Sequence, residues 1–329
     1  MKNFDAEEYV RCTFVDEADR RAAYRIAVEL RASGMYHPAE RLLSDIIDAI
    51  EDCGEQVTFE YMHHLSRGTA FGILPNIDLA ITDRCNLGCA SCSHYGPLCA
   101  DAELIPVDRL NASVKLLAEK ALGVISGIYL LGGEPFLHPG LGTIMKESRS
   151  LIGNKRITVV SNMTLYDKNR SWFVPNAVEN DIALGYSAYP GVNYEQIQRA
   201  IEDSKAHGMR IIRFGGSPAS FGLMLMNEER PYMGSGKIFC SMSRCLSLRD
   251  NFLYMCPKPT YVGYLNKAMG VNFEVSKFDR ICLDDVEIPE EILVLMNMPN
   301  PFCRYCNVRG TADVPWRRSE RQASEWIES

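Results

Sequence analysis

The chain has 329 residues, 47% of them hydrophobic and 23% charged, with a formal net charge of −7. This is the balance of a globular protein with roughly one to three domains. The acidic excess gives no electrostatic footprint for nucleic acid, which argues against a polynucleotide substrate. No signal-peptide apolar region opens the sequence and no apolar run is long enough to cross a bilayer, so a cytoplasmic protein without a membrane partner is expected.

Residues 1–72 read as a helical extension that packs on, or lids, the rest of the chain. Ala22, Ile26 and Leu30 recur at helical spacing before Gly34. Pro38 suits a first turn, and Leu42, Leu43, Ile46, Ile47 and Ile50 then share one face up to Gly54. A shorter third helix is expected over 57–65, with His63 and His64 as a surface pair. Cys12 and Cys53 stand alone and read as small buried hydrophobes.

Residues 73–235 alternate between strand-like and helical runs. Strands are expected over 76–82, 127–131, 156–161, 182–187 and 210–214, and helices over 106–121, 141–151 and 194–207, with a short one over 171–178. Val107, Leu110, Val114, Leu117 and Ala118 make one apolar helix face. Such alternation means βα units and a parallel sheet, and 221–226 offers a sixth strand. The expected fold is therefore α/β, a partial (β/α)6 TIM-like barrel short of the eight units of a closed one. Functional loops are expected at the C-terminal ends of its strands.

Over residues 236–329 the alternation stops. Gly234-Ser235-Gly236 looks like a linker. Segments 245–249 and 252–256 can pair as a hairpin across Asp250-Asn251. Turn residues around Pro257 and Pro259 follow, then a helix over 289–296 and a docking helix over 316–327.

Twelve cysteines in a reducing compartment need a reason other than disulfides. Cys85, Cys89 and Cys92 follow the first strand with C-x3-C-x2-C spacing. Cys240, Cys245, Cys256, Cys303 and Cys306 lie in the last third, and Cys99 and Cys282 stand apart. Metal binding is the better reading of the two groups. A structural zinc closes with four protein ligands, and His94 is badly placed to be the fourth of the first group. Three thiolates on a four-iron cluster would leave one iron open to an outside ligand.

The cysteine loop together with Leu131-Gly132-Gly133-Glu134-Pro135 after the second strand resembles the radical S-adenosylmethionine (SAM) superfamily. The resemblance implies that Cys85, Cys89 and Cys92 bind a 4Fe-4S cluster, that SAM chelates its fourth iron, and that reductive cleavage yields a 5′-deoxyadenosyl radical that takes a hydrogen atom from substrate. It also implies that Gly132, Gly133, Glu134 and Pro135 bind the SAM amino group, and that Ser161, Asn162 and Ser187 contact its ribose and carboxylate. One departure is Ser91, where the family usually has an aromatic residue before the third cysteine; His94 and Tyr95 follow instead.

Asn251, the hairpin ending at Cys256 and the later Cys303-x2-Cys306 resemble the twitch domain, a shortened SPASM domain that holds an auxiliary cluster. This implies a second 4Fe-4S cluster on Cys240, Cys256, Cys303 and Cys306, with Cys245 as the alternative to Cys240. A structural zinc on four of these thiols is the competing reading. The relatives imply a reductant such as flavodoxin or ferredoxin and a small-molecule substrate, carbohydrate-like, that is oxidised or epimerised. Epimerisation would need a thiol to return a hydrogen atom, and Cys282, Cys245 and Cys99 are candidates. The alternatives are a peptide maturase acting on a precursor peptide, and a non-enzymatic iron–sulfur or zinc-binding interaction protein.

Overall fold

The computed structural model describes residues 1–14, 17–32, 39–50, 75–99, 102, 104–189, 191–214, 220–232, 234–243 and 245–328. The expected helix over 57–65, with His63 and His64, and also Gly34, Pro38, Cys53 and Gly54, lie outside them.

Continuous apolar runs bury four strands side by side, and a short, more exposed fifth continues the row. They are β1 (Asn76–Thr82), β2 (Gly127–Gly132), β3 (Arg156–Ser161), β4 (Ala183–Tyr186) and β5 (Ile211–Arg213). All neighbours are parallel, from Asn76 opposite Gly127 to Tyr186 opposite Arg213. β1 is buried from Ile77 to Thr82, as a parallel strand covered on both faces must be.

The crossovers are α4 (Val107–Ala121), α5 (Leu141–Ile152), α6 (Tyr166–Glu179) and α7 (Tyr194–His207), each packed on the next. α6 exceeds the short helix expected over 171–178. Its internal Pro175 hides it from a propensity reading, while Tyr166, Phe173, Val174 and Ala177 bury its inner face.

The sheet continues past β1. β7 (Leu246–Arg249) pairs parallel to it, with Ile77 opposite Leu246; β8 (Phe252–Tyr254) and β9 (Arg280–Cys282) follow antiparallel. The result is an open eight-stranded, parallel-dominated sheet in the order β5-β4-β3-β2-β1-β7-β8-β9. The β7–β8 hairpin turns where expected, with Asp250 at φ 56° taking the left-handed position.

Three expectations over 221–329 are corrected. Segment 221–226 gives the sheet no sixth strand: β6 (Ser220–Leu223) pairs antiparallel with β10 (Ala312–Pro315) in a separate two-stranded sheet. Residues after Cys256 form α8 (Pro257–Met269) instead of turns, because both prolines fall in the first helical turn, where an N–H has no partner within the helix. Segment 316–327 is no helix but runs extended to a single 3₁₀ turn at Ala323–Glu325, and Gly234–Phe239 is likewise a 3₁₀ turn.

The N-terminal helices α1 (Ala6–Thr13), α2 (Glu17–Ala32) and α3 (Glu40–Ile50) pack on one another, and α2 and α3 also on α9 (Glu290–Asn297). The Tyr9 hydroxyl donates to the Pro299 carbonyl at 2.6 Å, the Gly234 amide donates to Asp19 Oδ2 at 2.9 Å, and Arg304 pairs with the same carboxylate. The extension thus packs on residues 234–304. Among the described residues, no helix is long and apolar enough to cross a membrane.

Asp78 on β1 is a buried carboxyl in this core, and burial pushes it up to about 7 from an ordinary 3.8. A carboxyl with a raised native value binds its proton more tightly when folded. Its contribution is complete below the ordinary value and is lost as pH rises through about 7. Asp78→Asn is therefore expected to be more stable than the parent at pH 8, by up to ~4 kcal/mol. The gap closes as pH falls towards 4, which urea unfolding at both pH values checks.

Candidate active site: a three-cysteine cleft beside a four-cysteine pocket

β1 ends at Thr82, and the chain enters the loop that carries Cys85, Cys89 and Cys92. All three line one cleft of about 370 Å³, together with Gly132, Gly133, Ser161, Asn162 and Ser187 from the ends of β2, β3 and β4. Tyr189, Met224, Met242, Lys258 and Trp326 also face it. No described residue of segment 1–50 lines it.

The two glycines are required by backbone packing. A Cβ on Gly132 would lie 2.1 Å from the Thr82 carbonyl oxygen, and one on Gly133 would lie 2.0 Å from that of Arg84. The Gly133 amide donates to Thr82 O at 2.7 Å and the Glu134 amide to Arg84 O at 2.8 Å. The motif therefore joins the end of β2 to the start of the cysteine loop. Only residues without a side chain allow this approach.

Glu134 is fully buried and does not line the cleft. Its Oε1 accepts from the Phe136 amide at 3.1 Å and the Ser161 hydroxyl at 2.8 Å, and its Oε2 from the Asn162 amide at 2.8 Å. Burial raises it to about 7 against these donors. The carboxylate thus clamps the ends of β2 and β3 together. Ser161 is one of its partners, and Asn162 reaches on to Asn86 Oδ1 at 2.9 Å and the Cys85 sulfur at 3.9 Å. Glu134→Gln faces an amide NH2 or leaves a donor unmatched, and is expected to cost ~1–3 kcal/mol in a chemical-denaturation measurement.

Burial raises all three thiols, Cys89 to about 12, and donors oppose it at each sulfur. Cys85 receives the Leu87 and Gly88 amides, and Cys92 receives those of Gly96, His94 and Tyr95. Ser91, at φ 57°, lies in the left-handed region and lines the cleft with His94, while Tyr95 is turned into the core.

Cys240, Cys256, Cys303 and Cys306 line a second, smaller pocket. Met224, Met242 and Lys258 border both cavities, so the two cysteine groups share a wall. Two buried lysines face the four thiols: Lys237 donates to Met298 O and Lys258 to Met224 O, each at 2.8 Å. Cys245 lines neither cavity and lies near Asp78 and Cys240. Cys99 is buried below the loop with its thiol on Tyr95 O at 3.2 Å, and Cys282 lines a different pocket beside Phe4 and Phe252. Among the described residues, no three His, Cys, Asp or Glu side chains converge on a point that would hold one metal ion.

Several site residues carry no sequence signal. Asn193, at the start of α7, is buried and donates to Asn162 O at 2.7 Å and Ser187 O at 2.8 Å, tying two strand ends together. Asp83 is almost wholly buried and binds Arg249 through two bonds of 3.0 and 2.8 Å, and also accepts from the Tyr264 hydroxyl at 2.6 Å. This network fastens the cysteine loop to the β7–β8 hairpin and α8. Arg249→Met would strand a buried carboxylate and is expected to destabilise the fold by ~3–5 kcal/mol, seen as a lowered Tm.

Residues 79–226 match the family model described as the radical SAM superfamily. The match is to the segment that carries the cysteine loop and the Gly132-Gly133-Glu134-Pro135 turn. No curated protein matches the chain. Among solved structures, it is similar to native anSMEcpe with bound AdoMet and Cp18Cys peptide, at 20% identity over 42% of each chain and a TM-score of 0.33. It is similar to BtrN in complex with AdoMet and 2-DOIA at 13% identity, over 71% of this chain and 93% of that one, with a TM-score of 0.46. It is also similar to Streptococcus suis SuiB bound to precursor peptide SuiA, at 12% identity over 56% and 53%, with a TM-score of 0.26. The chain thus spans under half of the anSMEcpe chain and about half of SuiB.

Proposed function

We propose that the protein is a radical SAM enzyme with a second, auxiliary 4Fe-4S cluster, and that it oxidises a polar, carbohydrate-like small molecule. The observation that carries this reading is the shared wall: the cleft of Cys85, Cys89 and Cys92 and the pocket of Cys240, Cys256, Cys303 and Cys306 both border Met224, Met242 and Lys258.

The residues suit the groups they would hold. A zinc ion needs sulfurs about 2.3 Å from one point. Three thiols line one cavity and four line its neighbour, the ligand numbers that an open and a fully ligated four-iron cluster would take. The buried ammonium groups of Lys237 and Lys258 offset the negative charge of four thiolates. When bound, the first cluster and SAM supply the 5′-deoxyadenosyl radical for hydrogen abstraction.

The chain's own residues position the reactants. Gly132, Gly133, Ser161, Asn162 and Ser187 present polar backbone and side-chain groups to SAM from three strand ends. Glu134 and Pro135 act behind them, with Glu134 holding the β2 and β3 ends in register. Hydroxyls of Ser91, Ser93, Ser241 and Thr311 in the cleft lining favour a polyhydroxylated substrate. Oxidation is favoured over epimerisation because Cys99, Cys245 and Cys282 do not line the cleft, so none is at hand to return a hydrogen atom. The same proposal takes β1 to β5 as the walls of a partial barrel and flavodoxin or ferredoxin as reductant.

Anaerobically reconstituted protein is expected to hold about eight irons per chain. It should release 5′-deoxyadenosine on chemical reduction with SAM. Four irons would remove the auxiliary cluster from the proposal. Intact, iron-loaded protein that never cleaves SAM would favour the non-enzymatic reading.

A further inference from the structure

Amides of their own loop act on the Cys85 and Cys92 sulfurs, with Asn162 also on Cys85 at 3.9 Å, whereas the groups acting on Cys89 come from outside the loop. The Trp316 indole N–H donates to the Cys89 sulfur at 3.3 Å. Tyr189, beyond the end of β4, lines the cleft beside it, and its side chain opposes the burial that raises the Cys89 thiol. The two rings pack against each other with centroids 5.6 Å apart.

Trp316 is held in place by strand-like pairing of its segment with the cysteine loop. Cys89 bridges Arg318 in antiparallel fashion, the Ala90 amide donates to Arg317 O at 3.0 Å, and the Ser319 amide donates to Gly88 O at 2.9 Å. A few residues on, Trp326 is buried and its indole donates to the Cys92 carbonyl at 3.0 Å. Buried Glu325 anchors the stretch between by accepting from the Glu320 amide at 2.8 Å and Arg317 at 3.1 Å. Segment 316–326 is thus fastened to the loop at both ends.

We infer that Trp316 and Tyr189 are positioning residues that orient the Cys89 sulfur and set the reduction potential of the cluster bound there, with segment 316–326 as an integral part of the site. This rests on the reading that Cys85, Cys89 and Cys92 hold a 4Fe-4S cluster. A hydrogen bond to a ligating sulfur withdraws charge from it and stabilises the more negative, reduced cluster, raising its potential. Removing the donor lowers it. The effect belongs to the N–H or O–H alone, since phenylalanine keeps the ring that packs.

The test is an EPR-monitored redox titration of Trp316→Phe and Tyr189→Phe in the full chain. It is run in a Cys256→Ala background so that one cluster titrates. Both variants are expected to bind iron like their parent, with midpoint potentials shifted to more negative values and the double variant shifted furthest. Tyr189→Phe leaves segment 316–326 untouched and carries the same test if Trp316→Phe fails to load. Unmoved or more positive midpoints at parental iron content would overturn the inference and leave the proposed function standing. A parent that binds no iron at these cysteines would overturn both.

Discussion

Replacing Cys89 with alanine is expected to reduce 5′-deoxyadenosine formation to background and to leave about four of about eight irons per chain. Cys89 is buried, and its sulfur faces the same cleft as those of Cys85 and Cys92. With only three thiols available, losing one leaves two, too few to keep a four-iron cluster that must also leave one iron open. The backbone is less affected, because the contacts of residues 88–90 with 317–319 run through main-chain groups that alanine retains. Chromatographic quantitation of deoxyadenosine and an iron assay on the same sample check both halves. Undiminished deoxyadenosine would refute the ligand assignment.

Cys256→Ala is expected to give the opposite partition. About four irons are lost, but SAM cleavage continues. Product is expected to fall relative to deoxyadenosine, since the proposed auxiliary cluster would take up the electron that the substrate radical must lose after hydrogen abstraction. Cys256 lies at the N-terminus of α8, half-buried, and lines one pocket with Cys240, Cys303 and Cys306. Cys245→Ala serves as the comparison. That thiol lines neither cavity, so its loss is expected to leave the iron content unchanged. Iron loss equal to that of Cys256→Ala would move Cys245 into the ligand set in place of Cys240.

Much of this was legible from residue order. Local periodicity locates β1 and β3 to the residue, and α7 likewise, because each buries a continuous apolar run or face within its own span. The first three thiols lie within eight residues, so their convergence needs only a short loop. The four later thiols come from separated segments. They could be grouped through resemblance, but their shared wall with the cleft could not be read, since Met224, Met242 and Lys258 belong to different elements.

What the sequence determined by itself is therefore local: the parallel βα series, the cysteine loop at the end of its first strand, and the glycines that let the next strand end approach it. The tertiary structure alone decided three things. It placed β7 beside β1 and β6 against β10, a choice of free edge on which strand propensity is silent. It turned Glu134 away from the cleft and into a clamp between strand ends, because two amides and a hydroxyl from separate stretches converge on its buried carboxylate. It also brought Trp316 to Cys89 across 227 positions of chain. A hydrogen bond between such distant residues leaves no periodicity or spacing to read. It exists only once packing of the intervening core has carried the two segments together.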